Sequence, residues 1–239
     1  MEALLSLQNL SVSYRIREGL AKSVDSVSLD LFENEVLALI GESGCGKSTL
    51  TSVVLGTSAP NTVVDEESQV LWRGRDLLSR DREELRMFRW REAAMVFQAA
   101  QNALNPVLPI EEQFRDTMVD HRASEGRDAD LRKIEGLMSM VRLESSRVLP
   151  SYPHELSGGM RQRTIIALSM ILDPEFLILD EPTTALDTIT QHYIFDILMD
   201  LQRNTGISML LVTHDLSSAA KLSHRVGVMY AGQLVELAK

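Results

Sequence analysis

Apolar and polar residues alternate along positions 4–14 and again along 24–31, the pattern of short strands with one face buried. The charged segment 15–23, RIREGLAKS, reads as the connection between them, so the chain opens with an antiparallel portion. The run from Glu35 to Ile40, EVLALI, differs: after its first residue it is apolar throughout, as in a central parallel strand covered on both faces. It passes directly into GESGCGKSTL.

Residues 81–92 are helix-capable and mixed in charge, and AAMVF at 93–97 reads as another buried strand followed by the polar stretch QAAQNALNPVLP. From about 111 to 149, apolar positions recur at helical spacing, broken by the polar run HRASEGRDAD, which predicts a small inserted helical subdomain. Ser157 opens a segment that reads as helix to about Leu172, where Asp173-Pro174 stops it ahead of the apolar strand FLILD at 176–180. A helix over 188–203, an exit at Gly206 and a buried strand at 207–213, ISMLLVT, ending at His214, complete the pattern. Helices alternating with apolar strands predict an α/β domain with a mainly parallel sheet.

Composition narrows the function more than the fold. With 24 Lys and Arg against 34 Asp and Glu, the formal charge is −10, which argues against a protein whose main work is gripping a phosphate backbone, so no nucleic-acid partner is expected. Cys45 is the single cysteine and cannot close an intrachain disulfide, which fits a reducing compartment. The first residues lack the basic and apolar regions of a signal peptide, and no window reaches the roughly 18 apolar residues of a membrane span. Docking against a membrane partner stays open, since it needs only one face.

Two stretches carry chemistry. Gly41-Glu42-Ser43-Gly44-Cys45-Gly46-Lys47-Ser48 is a full phosphate-binding loop between a predicted strand and a predicted helix. Its glycines let the backbone wrap an anion, Lys47 is expected to reach the β and γ phosphates of a nucleotide, Ser48 to coordinate Mg²⁺, and Thr49 to support phosphate binding. A plain glycine-rich turn would explain the glycines but not the lysine and hydroxyl in this context. At the end of 176–180, Asp180 and Glu181 present two adjacent carboxylates at the carboxyl edge of a sheet. Beside a phosphate loop they divide two tasks: Asp180 holds Mg²⁺ or its water shell, and Glu181 polarises the attacking water.

Leu156-Ser157-Gly158-Gly159-Met160-Arg161-Gln162-Arg163 resembles the signature sequence of ATP-binding-cassette (ABC) ATPases. The other features fall in that family's order: phosphate loop, Gln98, signature, acidic strand, Ala185-Leu186-Asp187 and His214. The resemblance covers nearly all of 1–239 and implies a P-loop NTPase core with an antiparallel β subdomain and a helical subdomain at about 100–172. It also implies a head-to-tail dimer with a second ATPase subunit. In that dimer Ser157, Gly158 and Gly159 would cap the γ phosphate held by the other chain. By the same resemblance Gln98 senses Mg²⁺, water and γ phosphate, His214 hydrogen-bonds the γ phosphate or attacking water, Tyr14 stacks on adenine, and Asp187 couples the two sites. His154, His192 and Cys45 carry no catalytic requirement.

GESGCGKST, MVFQ followed by LNP, and SYPHELSGGMRQR look more specifically like the ATPases of oligopeptide, dipeptide and nickel importers. Where that branch usually has an aspartate-proline pair after MVFQ, this chain has Ala99-Ala100-Gln101 before Asn102, a departure that bears on the permease partner and solute. Branch members also commonly continue past the glycine turn in MYAGQLVE, and this sequence stops at Lys239, so the usual importer-type tail is expected to be absent from 1–239, either because the chain is cut short or because this member lacks it. The resemblance implies an ATP-hydrolysing subunit, peripheral at the cytoplasmic face of the cell membrane. It would power peptide import through two transmembrane permease subunits fed by an extracytoplasmic solute-binding protein. An importer of nickel or another small solute, or a soluble cassette ATPase in DNA repair or translation, remains as the alternative. A non-hydrolytic nucleotide-binding module is disfavoured by the presence of Glu181.

Overall fold

A computed structural model describes residues 2–98, 103–184 and 186–238. Ala99-Ala100-Gln101, Asn102 and Ala185 lie outside the described residues. The chain divides into two compact units, 1–89 with 206–239, and 90–205.

The first unit opens with β1 (Leu5–Ile16) and β2 (Gly19–Leu31), paired antiparallel from Leu5↔Leu31 to Ile16↔Gly19. Segment 15–23 is therefore not a connection. Arg15, Ile16 and Gly19–Ser23 continue the strands, and only Arg17 and Glu18 turn. Charge does not end a strand whose outer part is solvated on both faces, and Gly19, at φ 134°, takes a backbone conformation that side chains resist. Further in, Leu5, Leu7, Leu10 and Val12 of β1 and Val24, Val27, Leu29 and Leu31 of β2 are buried. β3 (Val36–Gly41) follows, then the phosphate loop and α1 (Lys47–Val54).

β4 (Thr62–Val64) and β5 (Gln69–Trp72) both add to β1, and β6 (Arg75–Asp76) adds to β5. All three are too short to show a periodicity, which is why the hydrophobic pattern does not announce them. α2 (Arg82–Arg91) buries Phe88, whose ring meets that of Trp72 edge-on at 5.3 Å between centroids.

The second unit pairs β7 (Ala93–Val96) in parallel with a later strand, across an intervening run of helices: α3 (Ile110–Asp120), α4 (Arg127–Met140), α5 (Ser145–Val148) and α6 (Gly158–Ser169). Phe114, Met118, Ile134 and Met138 are buried on α3 and α4. Buried Asp130 ties down the loop before α4 by accepting from the Ser124 hydroxyl at 2.6 Å and the Glu125 amide at 3.0 Å. α6 ends at Ser169, short of the expected Leu172, because Met170 and Ile171 close tight turns onto Ala167 and Leu168 and Asp173 adopts φ 52°. The unit closes with β8 (Phe176–Asp180), in register with β7 from Ala93↔Phe176 to Val96↔Leu179, and α7 (Thr188–Thr205).

The chain then returns to the first unit with β9 (Ser208–Thr213), α8 (Leu216–Leu222), β10 (Arg225–Tyr230) and β11 (Gln233–Ala238). β3 lies between β10 and β9, parallel to both, and β11 pairs antiparallel with β10. This placement explains why Val36 to Leu39 are all buried, as the unbroken apolar run predicts. α8, β10 and β11 carry mixed or exposed patterns and emerge only from the structure.

Candidate active site

In the first unit, β3 delivers the chain to Gly41, where a Cβ would stand 2.3 Å from the Met229 carbonyl oxygen, so no larger residue fits without moving β10. Gly46, at φ 107°, caps α1 with no side-chain acceptor, and a Cβ there would stand 2.4 Å from the Ser23 carbonyl oxygen. The first-turn N–H groups of α1 thus have no side-chain cap, the arrangement that suits an anion. Lys47 is buried, and its ammonium donates to the carbonyls of Gly41 at 2.7 Å and Glu42 at 2.8 Å, with Cys45 Sγ at 3.5 Å. The charge is thereby held against the loop's own backbone. Ser43, Gly44 and Ser48 are exposed around it.

Three contacts fasten this loop to the rest of the unit. The Tyr14 hydroxyl lies 2.9 Å from that of Thr49, the Ser23 hydroxyl lies 3.0 Å from the same atom, and the Gly232 amide donates to the Cys45 carbonyl at 3.1 Å. Ser23 is a residue the sequence reading passed over, since nothing in its neighbours marks it. β9 runs parallel to β3 with Thr213 opposite Ile40, so exposed His214 emerges at the edge where the phosphate loop begins. The next residue, Asp215, caps α8, accepting from the amides of Ser217 at 3.0 Å and Ser218 at 3.1 Å. The Ser218 hydroxyl, followed by these other donors, lowers the Asp215 carboxyl from 3.8 to about 2.

In the second unit, Asp180 is buried at the end of β8, and Glu181 turns the chain at φ 47°. Because Val96 is opposite Leu179, exposed Gln98 leaves β7 at the same end. Its amide donates to Glu181 Oε2 at 3.0 Å, and the Thr184 hydroxyl donates to the same oxygen at 2.9 Å. Gln98 and Glu181 are thus brought together, with Thr184, which the sequence reading did not single out.

Farther along this unit, Ser157 caps α6 by accepting from the Met160 amide at 3.3 Å. Ser157, Gly158 and Gly159 line a cavity of ≈480 Å³ with Asp187, Thr190 and Tyr193. Thr190 donates to Asp187 from both its hydroxyl, at 2.6 Å, and its amide, at 3.0 Å, and the hydroxyl chiefly lowers the Asp187 carboxyl below the usual aspartate range. Arg163 anchors the helix start: it donates to the carbonyls of Gly159 at 3.3 Å and Arg142 at 2.7 Å, and its guanidinium lies over the Tyr193 ring at 5.2 Å. His154 stacks on Tyr152, and His192 contacts the Thr188 carbonyl at 2.8 Å, which places neither among these groups.

Residues 24–184 match the sequence profile of the ABC transporter family. The chain is 44% identical over 236 residues to the dipeptide transport ATP-binding protein DppD of Caldanaerobacter subterraneus subsp. tengcongensis, covering 99% of this chain and 72% of that protein. It is 38% identical over 238 residues to DppD of Bacillus subtilis, covering 99% and 71%. Among solved structures it resembles the dimeric bacterial ABC transporter cassette MJ0796, with a TM-score of 0.86 and 27% identity over 98% of each chain. The post-hydrolysis form of that cassette, bound to ADP and Pi, fits equally well. Taken with the phosphate loop, the signature helix and the acidic strand, these likenesses show that the chain belongs to the ABC transporter family.

Proposed function

We propose that the chain is the ATP-binding and ATP-hydrolysing subunit of an importer of di- or oligopeptides. The observation that carries the ATPase reading is the buried Lys47 ammonium, held by two loop carbonyls at the mouth of a glycine loop that has no side-chain cap. The peptide reading rests on the 44% and 38% identity to dipeptide transport proteins.

The residues divide the reaction by chemistry. Loop amides from Gly41 to Gly46 and the Lys47 ammonium take the phosphates, Thr49 supports them, and Tyr14 stacks on adenine. Among the described residues no group of three His, Cys, Asp or Glu gathers as a metal cage, which suits Mg²⁺, an ion that keeps waters and phosphate oxygens and takes few protein ligands. Its protein donors would be hard oxygens: the Ser48 hydroxyl, the Gln98 side-chain carbonyl and the Asp180 carboxylate. Bound Mg²⁺ would neutralise charge on the phosphate oxygens. Glu181 accepts the proton of the attacking water, while Gln98 and His214 orient water and γ phosphate. The amides at Ser157, Gly158 and Gly159 receive the γ phosphate held by a second ATPase subunit, and Asp187 transmits between the two sites.

No helix among the described residues is long and apolar enough to cross a membrane, so solute passage is assigned to two permease subunits supplied by an extracytoplasmic solute-binding protein. The ATPase then sits at the cytoplasmic face as a peripheral subunit. Reconstituting the chain with candidate permeases tests this: di- or oligopeptides delivered by a binding protein should stimulate ATP turnover. Stimulation by nickel and not by peptides would replace the peptide assignment.

A further inference from the structure

We propose that Thr184 is a positioning residue for Glu181, holding the carboxylate in the orientation from which it accepts a proton; this rests on the reading of Glu181 as the base. Thr184 grips Glu181 at both ends. Its amide donates to the Glu181 carbonyl at 3.2 Å, closing a turn through Pro182 and Thr183, and its hydroxyl donates to Glu181 Oε2 at 2.9 Å. The backbone bond fixes Pro182 and Thr183 between the two residues, and so the approach of the Thr184 side chain to Glu181, which itself stands at φ 47° in the left-handed region uncommon for residues with a Cβ. The hydroxyl bond matters because a glutamate has three side-chain torsions, and a base serves only while its oxygen stays within hydrogen-bond reach of the water.

Gln98 donates to the same oxygen at 3.0 Å, but it comes from a different segment, and its amide has a second task at Mg²⁺ and the γ phosphate. Its hold on Glu181 is one the reaction cycle can withdraw. Thr184 sits three residues further along the same turn, so its hold travels with Glu181. The turn itself is anchored to α7 by Gln191, whose side-chain amide donates to the Thr183 carbonyl at 3.2 Å.

Valine at this position keeps the branched shape and the backbone amide and removes only the hydroxyl. The test measures steady-state ATP turnover and nucleotide affinity for the full chain and for Thr184→Val, Thr184→Ala, Thr184→Ser and Glu181→Gln. Thr184→Val and Thr184→Ala should lower kcat on the order of tenfold, less than the ~10²- to 10⁴-fold a general base supplies, with KM and nucleotide affinity within about twofold. Thr184→Ser should restore most of the rate. Wild-type kcat in Thr184→Val, a loss of affinity matching the loss of rate, or a serine variant as slow as valine overturns the proposal. If Glu181→Gln itself turns over normally, the reading of Glu181 has failed; if it is inactive while Thr184→Val is fully active, only the role of Thr184 has.

Discussion

The hydroxyl of Tyr14, on β1, lies 2.9 Å from that of Thr49, in the first turn of α1. An aromatic side chain of the antiparallel sheet is thereby joined to the phosphate-loop helix, and the Ser23 hydroxyl joins the same atom from β2. Either hydroxyl can be the donor in each contact, and together the two contacts hold the Thr49 side chain from two strands of the antiparallel sheet.

Tyr14→Phe keeps the ring and removes this bond. One neutral hydrogen bond is worth about 0.5–1.5 kcal/mol, so ATP affinity by calorimetry should fall about two- to tenfold. Ser23→Ala should act in the same direction and less than additively with Tyr14→Phe, because both work through Thr49. Full affinity in both variants would reduce Tyr14 to a stacking ring.

Lys47→Ala removes the ammonium that bridges the Gly41 and Glu42 carbonyls. A hydrogen bond to a charged group contributes about 1.5–3 kcal/mol, so nucleotide titration should show affinity for ATP weakened by about 10- to 150-fold. Unaltered affinity would contradict the placement of the phosphates at this loop.

Gly159→Ala tests the signature helix independently of the nucleotide loop. A Cβ there would stand 2.7 Å from Thr190 Cγ2, and Thr190 is the residue that holds Asp187 through two hydrogen bonds. ATP-dependent dimerisation, followed by light scattering, should be lost while ATP affinity of the single chain is kept. Loss of both together would point to misfolding of the chain.

Asp215 gives a pH dependence with a fixed sign. Its carboxyl stands at about 2 in the folded protein against an ordinary 3.8, so the folded state favours the ionised form. The stabilisation is complete above about pH 5 and is lost as pH falls through 3.8 to about 2. Asp215→Ala removes a helix cap on an accessible side chain and should cost about 1 kcal/mol at pH 7. Urea titrations should show that difference shrinking toward zero near pH 2, and a constant difference across this range would remove the carboxylate from the account.

The sequence makes legible those parts that are contiguous and deeply buried. β3 is flanked by strands on both sides, so its apolar run is unbroken, and the eight residues from its last, Gly41, to Ser48 spell out the phosphate loop. β8 is likewise an apolar run buried along its whole length, and the two carboxylates at its end are visible with it. What is hidden depends on distant contacts: Ser23 acquires its role only when β2 brings it to Thr49, and β4, β5 and β6 exist as strands because β1 and its neighbours offer them edges. The hairpin around Arg17 misleads because a solvated two-stranded ribbon needs no apolar face. Thr184 is only three residues from Glu181, yet the pattern cannot say that its hydroxyl turns back onto the carboxylate.

The most direct test of the central claim is ATP turnover by Glu181→Gln, measured alongside ATP binding and dimerisation. Glutamine keeps the size of the side chain and cannot take the proton of the attacking water. The expected result is ATP binding preserved, turnover suppressed by at least about 10²-fold and the ATP-bound dimer prolonged. Turnover at the unsubstituted rate would contradict it.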